Sequence, residues 1–428
     1  MESSTLVVIA GILLAYAALS RRLVGTSLTA AIVFVGAGFL FGGEGLGWLH
    51  GSYGEHAISV LAEATLVVVL FNDAARIDLP ALRREYSVPA RLLGVGLPLT
   101  IVAGTVAAIA VGHGISWAEA AVLAIVLAPT DAALGQAVVT DPALPSRIRQ
   151  GLNVESGLND GICVPLLAIA LAVAQAETGE TTGAHAAKLV FEAIGWGIAG
   201  GLVAGVLAAY VLRWARTRAS IEPHWMQVVP VIAAVAAYGM ADAYGGSGFI
   251  AAFVGGVAFG RLAGAGESNA AFSEEIGGVL NGVTLIVFGA AVLGSQWSHI
   301  RAVDVLYAVL SLTVVRMIPV AIAMIGSGAR PLTVLFLGWF GPRGLASIVF
   351  GVVVVEAGGL PHTSELVTVM SVTVALSVLA HGVTAAPFAR RYAAWYASVE
   401  APMESKPGPH QRWRHALPYP PETSEAQS

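Results

Sequence analysis

Apolar stretches of about twenty residues recur from one end of this chain to the other, and few of them carry a charge. A run of that length crosses the hydrocarbon of a bilayer as a helix, because lipid offers no partner to an open backbone N–H or C=O. The runs fall at about 5–20, 23–42, 57–72, 88–112, 117–138, 150–174, 189–214, 225–243, 248–263, 274–294, 302–327, 331–355 and 365–390. That makes thirteen candidate spans, with twelve as the alternative because the ninth is short. The chain is 56% hydrophobic and 11% charged, with a mean hydropathy of +0.77. A soluble chain carries roughly twice that charged fraction. The expected fold class is therefore an all-α polytopic membrane protein. A single cysteine, Cys163, rules out an intrachain disulfide framework and a thiolate metal cluster. Fifty glycines suit close approach between membrane helices.

The positive residues test the span count. With the N-terminus outside, the cytoplasmic loops hold Arg21 and Arg22; Arg76, Arg83, Arg84 and Arg91; Arg147 and Arg149; Arg213, Arg216 and Arg218; Arg261; and Arg330. Arg390, Arg391, Lys406, Arg412 and Arg414 follow at the C-terminal end, while the outer loops hold only Lys188 and Arg301. Such a one-sided split is what the positive-inside rule requires, and a wrong span count would scramble it. Ala15-Tyr16-Ala17 imitates a signal-peptidase site, but no basic segment precedes it, so a retained first helix is expected. From Ala401 the chain turns polar and Pro-rich. A membrane domain over 1–400 and a short disordered cytoplasmic tail over 401–428 are expected, with no soluble regulatory domain after it.

Thirteen spans suggest internal symmetry: repeat one over about 5–174, a linker helix over about 189–214 and repeat two over about 225–390, of opposite topology. The fifth span of each half is the one interrupted by Pro and Gly, VLAPTDAALGQ in the first and LGWFGPRGLAS in the second. Paired interruptions at corresponding positions mark the binding site of inverted-repeat transporters.

Charges lie at these breaks. Asp131 follows Pro129 and Thr130, and the next span carries Glu155, Ser156, Asn159 and Asp160. An ionisable group at this depth costs several kcal/mol, so a functional role outweighs a helix cap near water. Ser156 and Asp160 share one helix face, and Glu155 and Asn159 share the neighbouring one. Hydroxyl, amide and carboxylate oxygens thereby gather near one point, the right ligand type for a hard cation such as sodium. Pro129 releases a carbonyl one turn earlier, and an ion can be its partner. Arg316, in the middle of LSLTVVRMIPVAIAM, demands a carboxylate, with Glu155 the choice. Arg343, in GPRG, meets freed carbonyls or a neighbouring acid. Asp131, Glu155 and Asp160 against two arginines leave one negative charge, which suits one proton or one monovalent cation. Glu63 and Asp73 of the third span are divided evenly between structural contacts and an access path. Asp242 is expected at the interface. His381 is the one histidine set near a span, and there the structural reading outweighs pH sensing.

With these motifs in view, the sequence resembles the NhaP-type branch of the monovalent cation:proton antiporters, which also contains the animal sodium/proton exchangers. The matching segments are LFNDAARIDLPALRRE, APTD, ESGLND, GGSGFIAAFVGG, the intramembrane Arg316 and GPRG, in order across the membrane part. The resemblance implies a homodimer in the lipid bilayer, a six-helix core with two crossed discontinuous helices of the NhaA-like kind, and elevator-like alternating access. It implies that Asp160 is the exchanging carboxylate, with Asp131, Thr130 and Ser156 as cation ligands or close neighbours. It further implies that Glu155 pairs with Arg316 and that Asn159 holds the site together. Asn159 before Asp160, where another branch has two aspartates, resembles the electroneutral exchangers. Many relatives have Pro after the fifth-span Asp, and here it is Ala132.

The expected function is exchange of Na+ or Li+ for H+, one for one, with potassium/proton exchange as the alternative within transporters. A cation channel and an intramembrane hydrolase are the readings from other classes. The hydrolase needs a base, and sequence positions no histidine beside Ser156 and Asp160. No cofactor, catalytic residue or nucleic-acid partner is expected, and the compact tail points to a bacterial plasma membrane.

Overall fold

The structure is a computed structural model that describes residues 3–23, 25–49, 55–77, 86–179, 182–263 and 271–406. Arg83 and Arg84 of the third-span motif, and Arg412 and Arg414, lie outside the described residues. The helices in chain order begin with α1 (Ser3–Leu23), α2 (Ala30–Phe41), α3 (Glu55–Ala75) and α4 (Ser87–Val111). Next come α5 (Trp117–Val126), the one-turn α6 (Gln136–Val139), α7 (Ser146–Glu177), α8 (Gly183–Thr217), α9 (Pro223–Asp242) and α10 (Gly248–Leu262). The chain then forms α11 (Ala271–Val287), α12 (Ala302–Leu312), α13 (Val314–Ala323), α14 (Pro331–Trp339), α15 (Leu345–Ala357) and α16 (Thr363–Ala397). Among the described residues, nine helical segments are long and apolar enough to cross a bilayer. Four shorter apolar helices, α2, α5, α10 and α15, fill the other expected places. The fold is all-helical, as the hydropathy pattern requires.

Two groups of helices form the bundle. In one, α8, α9 and α10 pack on each other and α3 packs on α9 and α10, with α11 against α3 and α2 against α11. Their contacts are made through small residues. A side-chain carbon on Gly201 or Gly205 of α8 would run into the backbone of Ala251 or Gly255 on α10. One on Gly256 of α10 would strike the Phe71 carbonyl and Ala74 of α3. Backbones that close gain dispersion contacts that lipid tails cannot match. The second group joins α4, α5, α7, α12, α13, α14, α15 and α16, and it contains both breaks.

Several features go beyond the hydropathy pattern. The eleventh span is split at Thr313 (φ −114°, ψ −91°), whose hydroxyl donates back to the Val309 carbonyl at 2.6 Å. Such back-bonding competes with the helical ladder and lets the chain turn three residues before Arg316. Widened π turns lie at Leu92–Gly96 in α4 and at Phe288–Leu293 after α11. The expected tail also starts later than residue 401. Met403 is buried among Val139, Leu152, Phe336 and Phe340. Glu404 is buried too, its Oε1 accepting from the Arg330 N–H at 2.9 Å and the Thr333 hydroxyl at 2.6 Å. Residues 407–428 of that tail lie outside the described residues.

The α3–α10 contact generates a stability prediction. Gly256→Val forces about three heavy atoms into a backbone contact, and overpacking of this kind costs about 1–3 kcal/mol. Thermal unfolding of purified protein in detergent should show a clear loss against the parent. An unchanged transition would mean that α3 and α10 are further apart than this.

Candidate ion-binding site

The two breaks meet in the middle of the second helix group. The α5 helix starts with a capping box, Ser116 with Glu119, and stops at Val126, ahead of Pro129. Residues 128–131 run without helix to the turn before α6. In the other span, α14 stops at Trp339, and Phe340 to Gly344 carry the chain to α15. The Asp131 N–H donates to the Pro342 carbonyl at 2.8 Å. Asp131 Oδ2 accepts the Leu345 N–H at 3.2 Å, and its Oδ1 accepts the Ala133 N–H at 2.8 Å. Arg343 Nη1 donates to the carbonyls of Ala128 at 2.9 Å and Pro129 at 3.3 Å.

These bonds correct two sequence expectations. Asp131 is a helix cap after all, not near water but on the first turn of the other broken helix, where a carboxylate meets the positive end of the helix dipole. The carbonyl one turn before Pro129, for which an ion was one expected partner, is that of Ile125, and it accepts the Ala128 N–H at 3.3 Å; the three carbonyls past the helix end are also bonded by protein. Arg343 holds two of them, and the Ser156 hydroxyl donates to the third, that of Thr130. Between the two open readings of Arg343, the freed carbonyls are its contact.

The sixth span, α7, closes the site from one side. Asn159 Nδ2 donates to Thr130 Oγ1 at 2.7 Å, one turn from the Ser156–Thr130 contact. Arg316 reaches across from α13 to Glu155 in a two-pronged pair, Nη1–Oε1 at 2.5 Å and Nη2–Oε2 at 2.8 Å. Both side chains are 2% exposed. The guanidinium fork matches the carboxylate geometry, which is why an arginine rather than a lysine serves in a dry interior.

The glycines of GPRG have a steric reason that sequence reading left unused. A side-chain carbon on Gly341 would collide with the Arg316 guanidinium, and one on Gly344 would collide with the Asp131 carboxylate and Leu134. Both charges come close to bare backbone here, and only glycine leaves the room.

A small cavity lies at the crossing, with Thr130, Asp131 and Ser156 on its polar wall and Val139, Leu152 and Phe340 on its apolar one. Asp160 is not part of that wall. It is 8% exposed and sits one turn past Ser156 on α7. Asp73 of α3 packs onto the same turn, with its Cβ 3.6 Å from where a side chain on Gly157 would begin. Glu63 lies elsewhere on α3, its Oε2 accepting from the Tyr238 hydroxyl of α9 at 2.8 Å. Asp242 is exposed.

Spans packed around two crossed, broken helices with buried charges at the crossing form a secondary-transporter architecture. The chain belongs to the sodium/hydrogen exchanger transmembrane family, whose model matches residues 8–391. Its fold is shared with the sodium proton antiporter MjNhaP1 of Methanocaldococcus jannaschii, at a TM-score of 0.72 and 16% identity, over 91% of this chain and 97% of that one. A second structure of that antiporter matches at a TM-score of 0.69, over 94% of this chain and all of the other. Among curated proteins, the chain is 25% identical over 390 residues to the K(+)/H(+) antiporter NhaP of Alkalimonas amylolytica, covering 88% of this chain. It is 33% identical over 171 residues, 39% of this chain, to the uncharacterized Na(+)/H(+) exchanger YjcE of Escherichia coli. The matches span 64% and 31% of the lengths of those two proteins.

The buried pair sets a testable expectation. Glu155→Gln or Arg316→Gln leaves one charge in a dry core, a loss of about 3–5 kcal/mol for each variant. The double variant should lose less than the sum of the two, because no lone charge remains. Thermal unfolding of the four proteins measures the coupling, and strict additivity would count against the pair.

Proposed function

We propose that this chain exchanges Na+ or Li+ for H+ across the membrane, one for one, by alternating access. The observation that carries the reading is the charged crossing of the two breaks beside α7. It joins a cavity walled by Thr130, Asp131 and Ser156 to a buried carboxylate one turn away. Glu155 is committed to Arg316, and both Asp131 oxygens accept backbone N–H groups. In line with what the resemblance to the NhaP-type branch implies, the exchanging group is assigned to Asp160, with Thr130, Ser156 and Asp131 offering oxygens along the path and Asn159 steadying Thr130.

Coupling follows from competition. A carboxylate in this setting holds a proton or a cation, and one leaves before the other binds. When only the occupied site crosses between the two faces, exchange results and leak is suppressed. One cation against one proton moves no net charge. We assign the N-terminus to the outside and the arginine-rich loops to the cytoplasm of a plasma membrane, by the positive-inside rule. The working unit is taken as a homodimer, whose α3–α8–α10 group stays fixed while the broken-helix group moves. Potassium in place of sodium is the second reading, favoured by the name of the Alkalimonas amylolytica relative.

Proteoliposomes with an imposed pH gradient test this directly. Sodium and lithium should dissipate the gradient, choline should not, and Asp160→Asn should lower the cation-dependent flux at least about tenfold while keeping its folded amount. Dissipation by potassium alone moves the substrate to the second reading. Full flux in Asp160→Asn removes Asp160 from its role. A rate that follows an imposed voltage contradicts one-for-one exchange.

A further inference from the structure

We infer that Ser377 and His381 of α16 act as a clip that positions the second break, and through it Arg343, for cation binding. The break is bonded in part by α16. At its start, the Trp339 carbonyl accepts the Gly341 N–H at 2.9 Å within the break and also meets His381 Nε2 at 2.9 Å. Near its end, the Arg343 N–H donates to Ser377 Oγ at 2.6 Å. Ser377 and His381 stand one helical turn apart, and Ser377 Oγ lies 3.2 Å from His381 Nδ1. The two contacts therefore form one unit on one face of α16. Both side chains are buried, 0% and 1% exposed.

The chemistry fixes part of the arrangement. Carbonyls face both ring nitrogens, that of Ser377 at 2.9 Å from Nδ1 and that of Trp339 at 2.9 Å from Nε2; a carbonyl only accepts, so the clip uses the form with a proton on Nε2, which donates to Trp339. The Ser377 hydroxyl accepts from Arg343, as any oxygen facing that N–H must. The charged groups set against this histidine are Arg343 and Arg316, the second already held by Glu155. The Trp339 ring lies 5.2 Å from the imidazole, and its Nε1 donates to Thr384 Oγ1 at 3.0 Å further along α16.

From this clip the consequence runs outward. Fixing the Arg343 backbone aims its guanidinium at the Ala128 and Pro129 carbonyls, next to Thr130 on the cavity wall. Asp131 fixes the far end of the same break through Pro342 and Leu345. Without the Ser377–His381 contacts, the backbone of the break keeps its bonds to Asp131 and loses these two to α16. A serine and a histidine on the last span thus become positioning residues for a site they do not touch.

The effect on transport rests on the antiporter reading, whereas the clip does not, and two measurements keep them apart. Backbone hydrogen exchange over residues 340–345 reads the clip. Ser377→Ala and His381→Leu should speed it at least about tenfold over the parent, with α3 and α10 unchanged. Cation-dependent proton flux reads the consequence. Both variants should raise the cation KM about tenfold, with the saturating rate per folded protein within about threefold. His381→Gln retains an N–H for Trp339 and should bring the KM back near the parent value. Thr384→Val loses a contact to the Trp339 ring but none to the backbone of the break, and should leave the KM unchanged. Slower growth in folded amount with an unchanged KM would reduce the clip to ordinary packing and overturn the inference. So would parent-like hydrogen exchange in Ser377→Ala, the milder of the two changes. A KM shift in Thr384→Val as large as that in Ser377→Ala would show general loosening of α16 and overturn it as well. A parent protein without cation-dependent flux would sink the antiporter reading, and the exchange data would still decide the clip.

Discussion

Every backbone group released inside a membrane protein has to be bonded by the protein itself, and this bundle releases many of them at one place. Two helices stop near the middle of the structure, and each exposes carbonyls at one end and N–H groups at the other. The structure answers by crossing them. The carbonyls of Ala128 and Pro129, just past the end of α5, are held by Arg343, and the first N–H of α15 is held by Asp131. The signs follow the helix dipoles, with a cation at a C-terminal end and an anion at an N-terminal one. Charged side chains of the protein thus bond several of the backbone groups that the two breaks release.

The buried Glu155–Arg316 pair fits the same logic. A buried ion pair is weak evidence for stability, since two charges have been taken out of water to make it. Its value here is register. Arg316 follows the split at Thr313, so its direction is set by a short helix, and only one carboxylate on α7 meets it. Gly341 keeps the second break close enough for the guanidinium to lie against bare backbone. Sliding α7 by one turn would bring Ser156 or Asn159 away from Thr130 and leave Arg316 without its acid. The pair, the glycine and the break thus specify one alignment of α7, α13 and the α14–α15 junction.

How much of this was legible in the sequence depended on how unusual each residue is in its surroundings. A charge in an apolar run is rare, so Asp131, Glu155, Asp160, Arg316 and Arg343 announced themselves, and the Glu155 partner of Arg316 followed from need. The breaks were legible because Pro and Gly act locally. The detailed use of Asp131 was not, because its capping bond comes from α15, more than two hundred positions away in the chain. His381 reads as structural rather than pH-sensing, and Ser377 gives no signal, as small polar residues on a membrane helix usually do not. Thr313 gave no warning, since one threonine among Leu and Val is a common sight. Residues 401–406 misled in the other direction. Their polar, Pro-bearing composition reads as unstructured, yet Met403 and Glu404 are buried because α14 and α16 deliver Phe336, Thr333 and Tyr392 to the same spot.

Ala132, where many relatives resembling this chain have proline, becomes intelligible at the crossing. A proline at that position would push Asp131 out of the helical region by steric contact alone. In this chain the same residue is kept out of the helix by long-range bonds, through its N–H to Pro342 and its carboxylate to Leu345. The carbonyl of Ala132 meanwhile accepts the Gly135 N–H at 3.1 Å and starts the turn into α6. The backbone at Asp131 is thus shaped by the partner helix rather than by a rigid neighbour. Any shift of α15 against α5 then acts on Asp131 and on Thr130 beside it, so the cavity wall and the second break cannot move independently.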